Sequence, residues 1–212
     1  ATKSLLIGGG IGITPLIAMA HRLHQIGREF ELHYCLHSRK TAGFIDDLEA
    51  QPWRGNVFFH ISDQGSRADL SALVGQPDVG KYLYTCGPTQ FMASVLSIAE
   101  LQGWNDENVR KEYFTVPERP AFENSAFDVA LKKSGKTIHI PANKTLAEVL
   151  LDNDVFVKQK CSDGLCGTCS MEYLEGDIEH RDFVLSKKER ETKIITCCSR
   201  AEPNGKTILL DV

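Results

Sequence analysis

The cysteines in the last quarter of the chain have the spacing needed to hold an iron–sulfur cluster. Cys161, Cys166 and Cys169 stand in the run CSDGLCGTC, a C-x4-C-x2-C pattern, and Cys197 and Cys198 follow in ITCCSRA. Three thiolates from one loop and a fourth from a separate segment are typical of a 2Fe–2S cluster. Because such a cluster transfers one electron at a time, the sequence predicts an electron-transfer protein.

Two glycines of the same loop favour a cluster over the alternatives. Gly164 and Gly167 allow tight turns that bring backbone N–H groups close to the cluster sulfurs. A zinc site is disfavoured because structural zinc sites usually combine two C-x2-C units or add histidines, and the chain has a single C-x2-C unit. A disulfide framework is disfavoured by the odd count of seven cysteines and the lack of a secretory context.

The fourth ligand is one of two adjacent cysteines. Neighbouring residues of a strand point to opposite faces, so either Cys197 or Cys198, but not both, would face the iron. The residues alone leave this choice open.

The first twenty residues, ATKSLLIGGGIGITPLIAMA, have some features of a secretory signal peptide. Lys3 precedes an apolar run over 5–20 that ends in Ala-Met-Ala. Glycines at 8–10 and 12 and Pro15 interrupt this run, which is also too short to span a membrane. We therefore predict a buried strand, a glycine-rich turn and the start of a helix.

Strands and helices alternate over residues 1–115. Alternation of this kind predicts an α/β fold with a doubly wound parallel sheet. The predicted strands are 4–9, 31–38, 56–62, 81–87 and 108–114, and the predicted helices are 14–27, 44–50, 69–75 and 89–103.

A second domain is predicted over residues 125–212, after a linker at 116–124 that carries two prolines and shows no periodicity. Two strands around Ser134-Gly135, a helix at 145–152 and strands at 169–174 and 207–211 indicate a small α+β domain. The net charge of the whole chain is −4, which argues against nucleic acid as a partner.

The first domain has a glycine-rich turn where parallel sheets bind ligands. GGGIGITP follows the first strand, and a helix that begins near Thr14 would offer free N–H groups to a pyrophosphate. The run differs from G-x-G-x-x-G because Ile13 and Pro15 occupy two of its positions, so a tight turn without a ligand is an alternative. Cys86-Gly87-Pro88 ends a later strand, where the alternative is an ordinary junction with a buried cysteine.

Together these motifs resemble a known family. GGGIGITP, CGPTQFM and EYF at 112–114 resemble the pyridine-nucleotide domain of the ferredoxin–NADP reductase superfamily, and the cysteine loop resembles plant-type ferredoxin, a β-grasp fold. The domain order is similar to that of the phthalate dioxygenase reductase and vanillate O-demethylase oxidoreductase family. EHRDFVLS at 179–186 and CCSRA at 197–201 are similar to segments peculiar to that group.

The resemblance implies roles for individual residues. It places Ser38 and Arg39 at the adenosine ribose and Phe114 on the flavin ring where nicotinamide docks. The other implied nucleotide contacts are Gly10, Gly12, Thr14 and Pro15 on the pyrophosphate and nicotinamide side, and Cys86, Gly87 and Pro88 near the nicotinamide.

The resemblance also completes the implied cluster ligands. It selects the cysteine before x-S-R-A, so that the set becomes Cys161, Cys166, Cys169 and Cys197. Cys35 and Cys198 are then expected to have packing roles. The histidines His21, His24 and His33 are expected to be helix-face or strand residues rather than ligands.

The function implied is that of a reductase component of a bacterial Rieske-type aromatic ring oxygenase or O-demethylase. Electrons would pass from NADH through FMN to the 2Fe–2S cluster and on to a terminal oxygenase, in a cytoplasmic, monomeric protein with no membrane partner. Family members carry a flavin-binding barrel before the nucleotide domain. These 212 residues are therefore expected to be a fragment of a longer reductase, or to lack its central cofactor, and to be inactive alone.

Alternatives to this function remain open. The chain could be an electron-carrier module without nicotinamide turnover, or the reductase of another oxygenase class with the same domain order, such as acyl-CoA epoxidases. The coenzyme is also open, because Ser38-Arg39-Lys40 after the second strand favours NADP by charge whereas the resemblance favours NAD.

Overall fold

The computed structural model describes residues 2–118, 120–205 and 207–212, so that Ala1, Arg119 and Lys206 lie outside the described residues. Its internal contacts divide the chain into two compact units, 1–115 and 116–212. The assignment of 116–124 as a linker stays a prediction.

The first unit is built on a five-stranded parallel sheet, which confirms the predicted α/β class. The strand order is β3-β2-β1-β4-β5, so the chain reverses its direction of winding between the adjacent strands β1 and β4. All four pairings are parallel. The strands are β1 Lys3–Gly9, β2 Glu29–Leu36, β3 Val57–Ile61, β4 Lys81–Cys86 and β5 Val109–Glu112.

Helices cover both faces of this sheet. Successive residues of β1 point to opposite faces, so that Leu6 packs in one core and Leu5 and Ile7 pack in another. The buried strand confirms the strand–turn–helix interpretation of the first twenty residues. The helices are α1 Ile13–Gln25, α2 Ile45–Glu49, α3 Leu70–Val74 and α4 Thr89–Leu101.

The second unit is the predicted α+β domain. Its described residues contain one α-helix, α5 Leu146–Asp152, which begins in a capping box between Thr145 and Glu148. Its main sheet has the order β10-β8-β12-β6-β7, in which β12 is parallel to β6 and the other pairs are antiparallel. Strands β9 and β11 form a separate ribbon. The strands are β6 Phe127–Leu131, β7 Thr137–Ile140, β8 Ser170–Glu175, β9 Ile178–Glu179, β10 Lys193–Ile195, β11 Arg200–Ala201 and β12 Ile208–Leu210.

Three strands of this unit escaped the sequence analysis. β9, β10 and β11 have only two or three residues each, too few for a period-two pattern to be visible. Among the described residues, no helix is long and apolar enough to cross a bilayer.

Candidate iron–sulfur and nucleotide sites

The three-cysteine loop lies between α5 and β8 and depends on left-handed backbone positions. Gly164 and Gly167 have φ angles of 71° and 72°, which a residue with a Cβ adopts only with strain. Ser162 adopts a φ of 61° in the same loop. These positions let the loop fold back on itself, so that its three cysteines approach one region.

The thiols of the four predicted ligands meet in two pairs. Cys161 contacts Cys166, and Cys169 contacts Cys197. In a 2Fe–2S cluster with four cysteines, each of the two irons takes two thiolates, so two pairs fit that cluster. Across the described part of the chain, no three His, Cys, Asp or Glu side chains converge on a single ion.

Backbone N–H groups point at the sulfurs, as the glycine-rich loop predicts. The Asp163 N–H lies 3.4 Å from Cys161 Sγ, and the Thr168 N–H lies 3.5 Å from Cys166 Sγ. Burial opposes the charged form of Cys166, but contacts with Thr168 and Cys161 outweigh it and lower the pKa of this thiol to about 7. The loop therefore favours negative charge on the Cys166 sulfur.

The second pair, Cys169 and Cys197, is more buried, and the pKa of both thiols is raised. Contact with Cys197 and burial raise the pKa of Cys169. For Cys197, contact with Cys169 lowers the pKa, but the neighbouring Cys198 and burial outweigh it and raise the value to about 12. These bare thiols would therefore give up their protons when metal binds.

The two adjacent cysteines differ in their neighbours. Cys197 is buried against Cys169, whereas Cys198 Sγ lies 3.8 Å from the Ile195 carbonyl. The assumption that both lie on a strand was wrong, because β10 ends at Ile195 and the cysteines occupy a turn. Thr196 fixes that turn by donating its hydroxyl to the Cys169 carbonyl at 2.9 Å.

A cavity of about 680 Å³ opens at the carboxyl ends of β1, β2 and β3. This volume is in the usual range for cofactor sites, and this edge of a parallel sheet is where such folds bind ligands. Gly10, Ser38 and Pro88, all predicted from the sequence, line it. The structure thus brings together the ends of three strands and the turn after β4.

Other predicted residues lie beside the cavity rather than in its lining. Gly12 is required by packing, because a Cβ there would lie 2.3 Å from the Cys86 carbonyl oxygen. Gly87 approaches the β1 turn in the same way, with its Cβ position 3.0 Å from the Gly9 carbonyl oxygen. Burial raises the pKa of the Cys86 thiol to about 11, so it stays protonated at neutral pH.

Three more predicted residues surround these turns. Thr14 donates its hydroxyl to the Ile11 carbonyl at 3.0 Å, and Pro15 lies in the first turn of α1. Phe114 follows β5 and is 55% exposed, which leaves its ring available for stacking.

Arg39 is held by its own neighbours. Its guanidinium pairs with Glu49 at 2.7 Å and lies over the Phe59 ring, 5.3 Å from the centroid. Part of the positive charge that favours NADP in the sequence is therefore already paired within the first unit.

The sequence analysis missed polar cavity residues at the end of β3 and after it. His60, Ser62 and Arg67 all line the cavity. The signal was available, since the third parallel strand ends at the same edge as the first two. His60 Nε2 lies 3.0 Å from Nδ1 of His33, a buried strand residue.

Comparison with known proteins agrees with this geometry. The family model described as 2Fe-2S iron-sulfur cluster binding domain matches residues 129–202. Vanillate O-demethylase oxidoreductase of Pseudomonas sp. (strain HR199 / DSM 7063) is 36% identical over 204 residues, which cover 94% of this chain and 64% of that protein.

Two solved structures also match the whole chain. The structure of phthalate dioxygenase reductase, described as a modular structure for electron transfer from pyridine nucleotides to [2Fe-2S], is 34% identical with a TM-score of 0.53, and the match covers 66% of it. An intact type IV self-sufficient cytochrome P450 monooxygenase is 33% identical with a TM-score of 0.76, and the match covers 28% of it. The chain thus spans about two thirds of the length of its reductase relatives.

Proposed function

The chain belongs to the family of phthalate dioxygenase reductase and vanillate O-demethylase oxidoreductase, and we propose that its residues supply the nicotinamide-binding and cluster-binding parts of an oxygenase reductase. The observation that carries this proposal is the meeting of four thiols in two pairs, Cys161 with Cys166 and Cys169 with Cys197. These four residues are the proposed ligands. A bound 2Fe–2S cluster accepts and releases single electrons.

The cavity of the first unit is the proposed nicotinamide-nucleotide site. Gly10 and the α1 N-terminus would receive the pyrophosphate, and Ser38 would contact the adenosine ribose. Cys86 and Pro88 would lie near the nicotinamide. NAD is the proposed coenzyme, as the family resemblance implies, and the pairing of Arg39 with Glu49 supports it, because Arg39 is one of the cations that a 2′-phosphate would otherwise contact.

A flavin is the proposed intermediate carrier between nucleotide and cluster. NADH donates two electrons as a hydride, whereas the cluster accepts one, and FMN is able to accept a pair and release the electrons singly. Phe114, exposed after β5, would stack on the flavin ring. The cytoplasmic location and monomeric state expected from the sequence stay predictions.

Two classes of acceptor fit a reductase of this kind. The reductase relatives favour a separate oxygenase component, which is the proposed partner. The likeness to a self-sufficient cytochrome P450 favours a haem monooxygenase as the second candidate. Reduction assays with a Rieske-type oxygenase and with a cytochrome P450 haem domain as acceptors would separate the two.

Purified protein reconstituted with iron and sulfide provides the test. We expect equal amounts of iron and sulfide, a red-brown colour bleached by dithionite, and measurable NAD⁺ binding. NADH without added flavin should bleach the protein very slowly. Failure to bind iron and sulfide contradicts the proposed cluster, absence of NAD⁺ binding favours the electron-carrier alternative, and rapid bleaching by NADH alone contradicts the flavin step.

A further inference from the structure

The motif EHRDFVLS, at 179–186, contacts the cluster loop through its second half. The Phe183 N–H donates to the Gly164 carbonyl at 3.1 Å. The Val184 side chain lies 3.5 Å from the position that a Cβ on Gly167 would take. Residues 181–186, here called the strap, thus touch both glycines that shape the loop.

The strap is itself fixed by one buried carboxylate. The Asp182 side chain is fully buried, and its Oδ1 accepts the Val184 N–H at 3.0 Å and the Leu185 N–H at 2.7 Å. Its second oxygen lies 3.6 Å from both His180 Nδ1 and Arg190 Nη2. A buried carboxylate that accepts two N–H groups and lies beside an arginine and a histidine holds a turn rigidly.

Both ends of the strap are tied to the rest of the second unit. At its start, the Arg181 N–H donates to Ser199 Oγ at 3.2 Å, two residues after Cys197. At its end, the Ser186 N–H donates to the Glu189 carboxylate at 3.1 Å, and the Glu189 N–H donates to the Ser186 hydroxyl at 3.2 Å. The strap therefore connects the three-cysteine loop to the segment that carries the fourth cysteine.

Gly164 lies between the strap and the Cys197 sulfur. Its carbonyl accepts from Phe183, while its own N–H points at the Cys197 thiol. The strap fixes the orientation of Gly164, and N–H donors to cluster sulfurs are one of the means by which proteins set the reduction potential.

We propose that Asp182 is a positioning residue for the cluster: through the strap it fixes the Gly164 N–H on the Cys197 sulfur and covers the loop against solvent. This inference rests on the proposed cluster ligation and names a residue that controls its potential and lifetime. The strap acts on ligands from outside the cage, as partners of metal ligands commonly do.

The test compares holoproteins of the full chain carrying Asp182→Ala and Asp182→Asn. The alanine removes the oxygen that accepts both N–H groups of the turn, whereas the asparagine keeps an oxygen in the Oδ1 position. We expect Asp182→Ala to make the midpoint potential more negative, because a lost N–H donor destabilises the more negative reduced state, and to speed loss of the visible spectrum in air about 10-fold. Asp182→Asn should keep both the midpoint potential and the lifetime of the visible spectrum close to those of wild type.

Asp128→Ala is the matched control, because Asp128 is an exposed carboxylate of β6 in the same unit, paired with His139. It should leave potential and lifetime unchanged. Wild-type potential and lifetime in Asp182→Ala would overturn the inference. If Asp182→Ala does not fold, Val184→Ala decides: faster cluster loss supports the strap, and a wild-type rate overturns it. Wild-type protein without iron and sulfide would instead overturn the cluster itself.

Discussion

At the scale of single residues, the adjacent cysteines Cys197 and Cys198 have different surroundings. The Cys197 thiol contacts Cys169, another proposed ligand, whereas the Cys198 thiol lies against the Ile195 carbonyl. We expect Cys197→Ser to abolish a stable 2Fe–2S cluster, because one iron loses a thiolate, and Cys198→Ser to leave it intact. Iron and sulfide per chain and the visible spectrum measure both. The reverse pattern would make Cys198 the fourth ligand.

A second prediction at this scale concerns the choice of coenzyme. Glu49 neutralises Arg39 beside the proposed adenosine site. Glu49→Gln would free the guanidinium, so we expect NADP⁺ to bind about tenfold more tightly than to wild type, since a charge-assisted hydrogen bond contributes about 1.5–3 kcal/mol. NAD⁺ affinity should change little. Titration calorimetry with both nucleotides measures the ratio.

Glu29→Gln is the control for that experiment, because Glu29 is exposed at the amino end of β2, away from the cavity edge. Equal discrimination between the two nucleotides in Glu49→Gln and wild type would show that Arg39 does not reach the 2′ position. It would leave the cluster assignment untouched.

At the scale of elements, β2 carries a buried histidine, His33, beside His60 of β3. This histidine makes the free energy of unfolding depend on pH. Burial, and then the charge of His60, lower the pKa of His33 from 6.5 to about 4. Between these values the unfolded chain binds a proton that the folded chain does not. The contribution of His33 to the free energy of unfolding is therefore fully present above pH 6.5, and it falls by about 3 kcal/mol as the pH drops to 4.

The variant His33→Gln keeps a hydrogen-bonding group beside His60 but cannot titrate. We expect its free energy of unfolding to change less than that of wild type between pH 7 and 5. Denaturant unfolding followed by tryptophan fluorescence measures this, because Trp53 and Trp104, the only tryptophans of the chain, both lie in the first unit. His24→Gln, an exposed position on α1, should keep the wild-type slope, and an unchanged slope in His33→Gln would contradict the prediction.

At the scale of the whole molecule, each unit has cores made of its own residues. The core of the second unit contains Cys169 and Cys197, whereas the two cores of the first unit contain none of the four proposed ligands. Because metal binding and folding are coupled where the ligands are buried, iron removal should destabilise the second unit selectively.

Calorimetry of holoprotein and chelator-treated apoprotein tests this prediction. We expect one transition to move down, by about 4–8 °C for each 1 kcal/mol lost, while the tryptophan-detected transition stays in place. If both transitions move together, the two units do not unfold independently and the prediction is wrong.

The sequence alone determined the features that are local. The alternation of strands and helices predicted the parallel sheet, and the C-x4-C-x2-C spacing predicted the cluster loop, because both depend on residues close together in the chain. The start of α3 is equally local, because Asp69, the residue before it, accepts the N–H groups of Ser71 and Ala72. Strands of two or three residues carried no such signal.

Only the tertiary structure decided what depends on residues that are distant in sequence. It showed that Cys197 contacts Cys169, and that Glu49 pairs with Arg39. It also brought the Phe183 N–H to the Gly164 carbonyl, so that the motif at 179–186 contacts the three-cysteine loop. The residue spacing of that motif does not indicate this contact. The physical reason is the same in each case: these contacts arise where the folded chain brings separate segments within bonding distance, and no local periodicity encodes that distance.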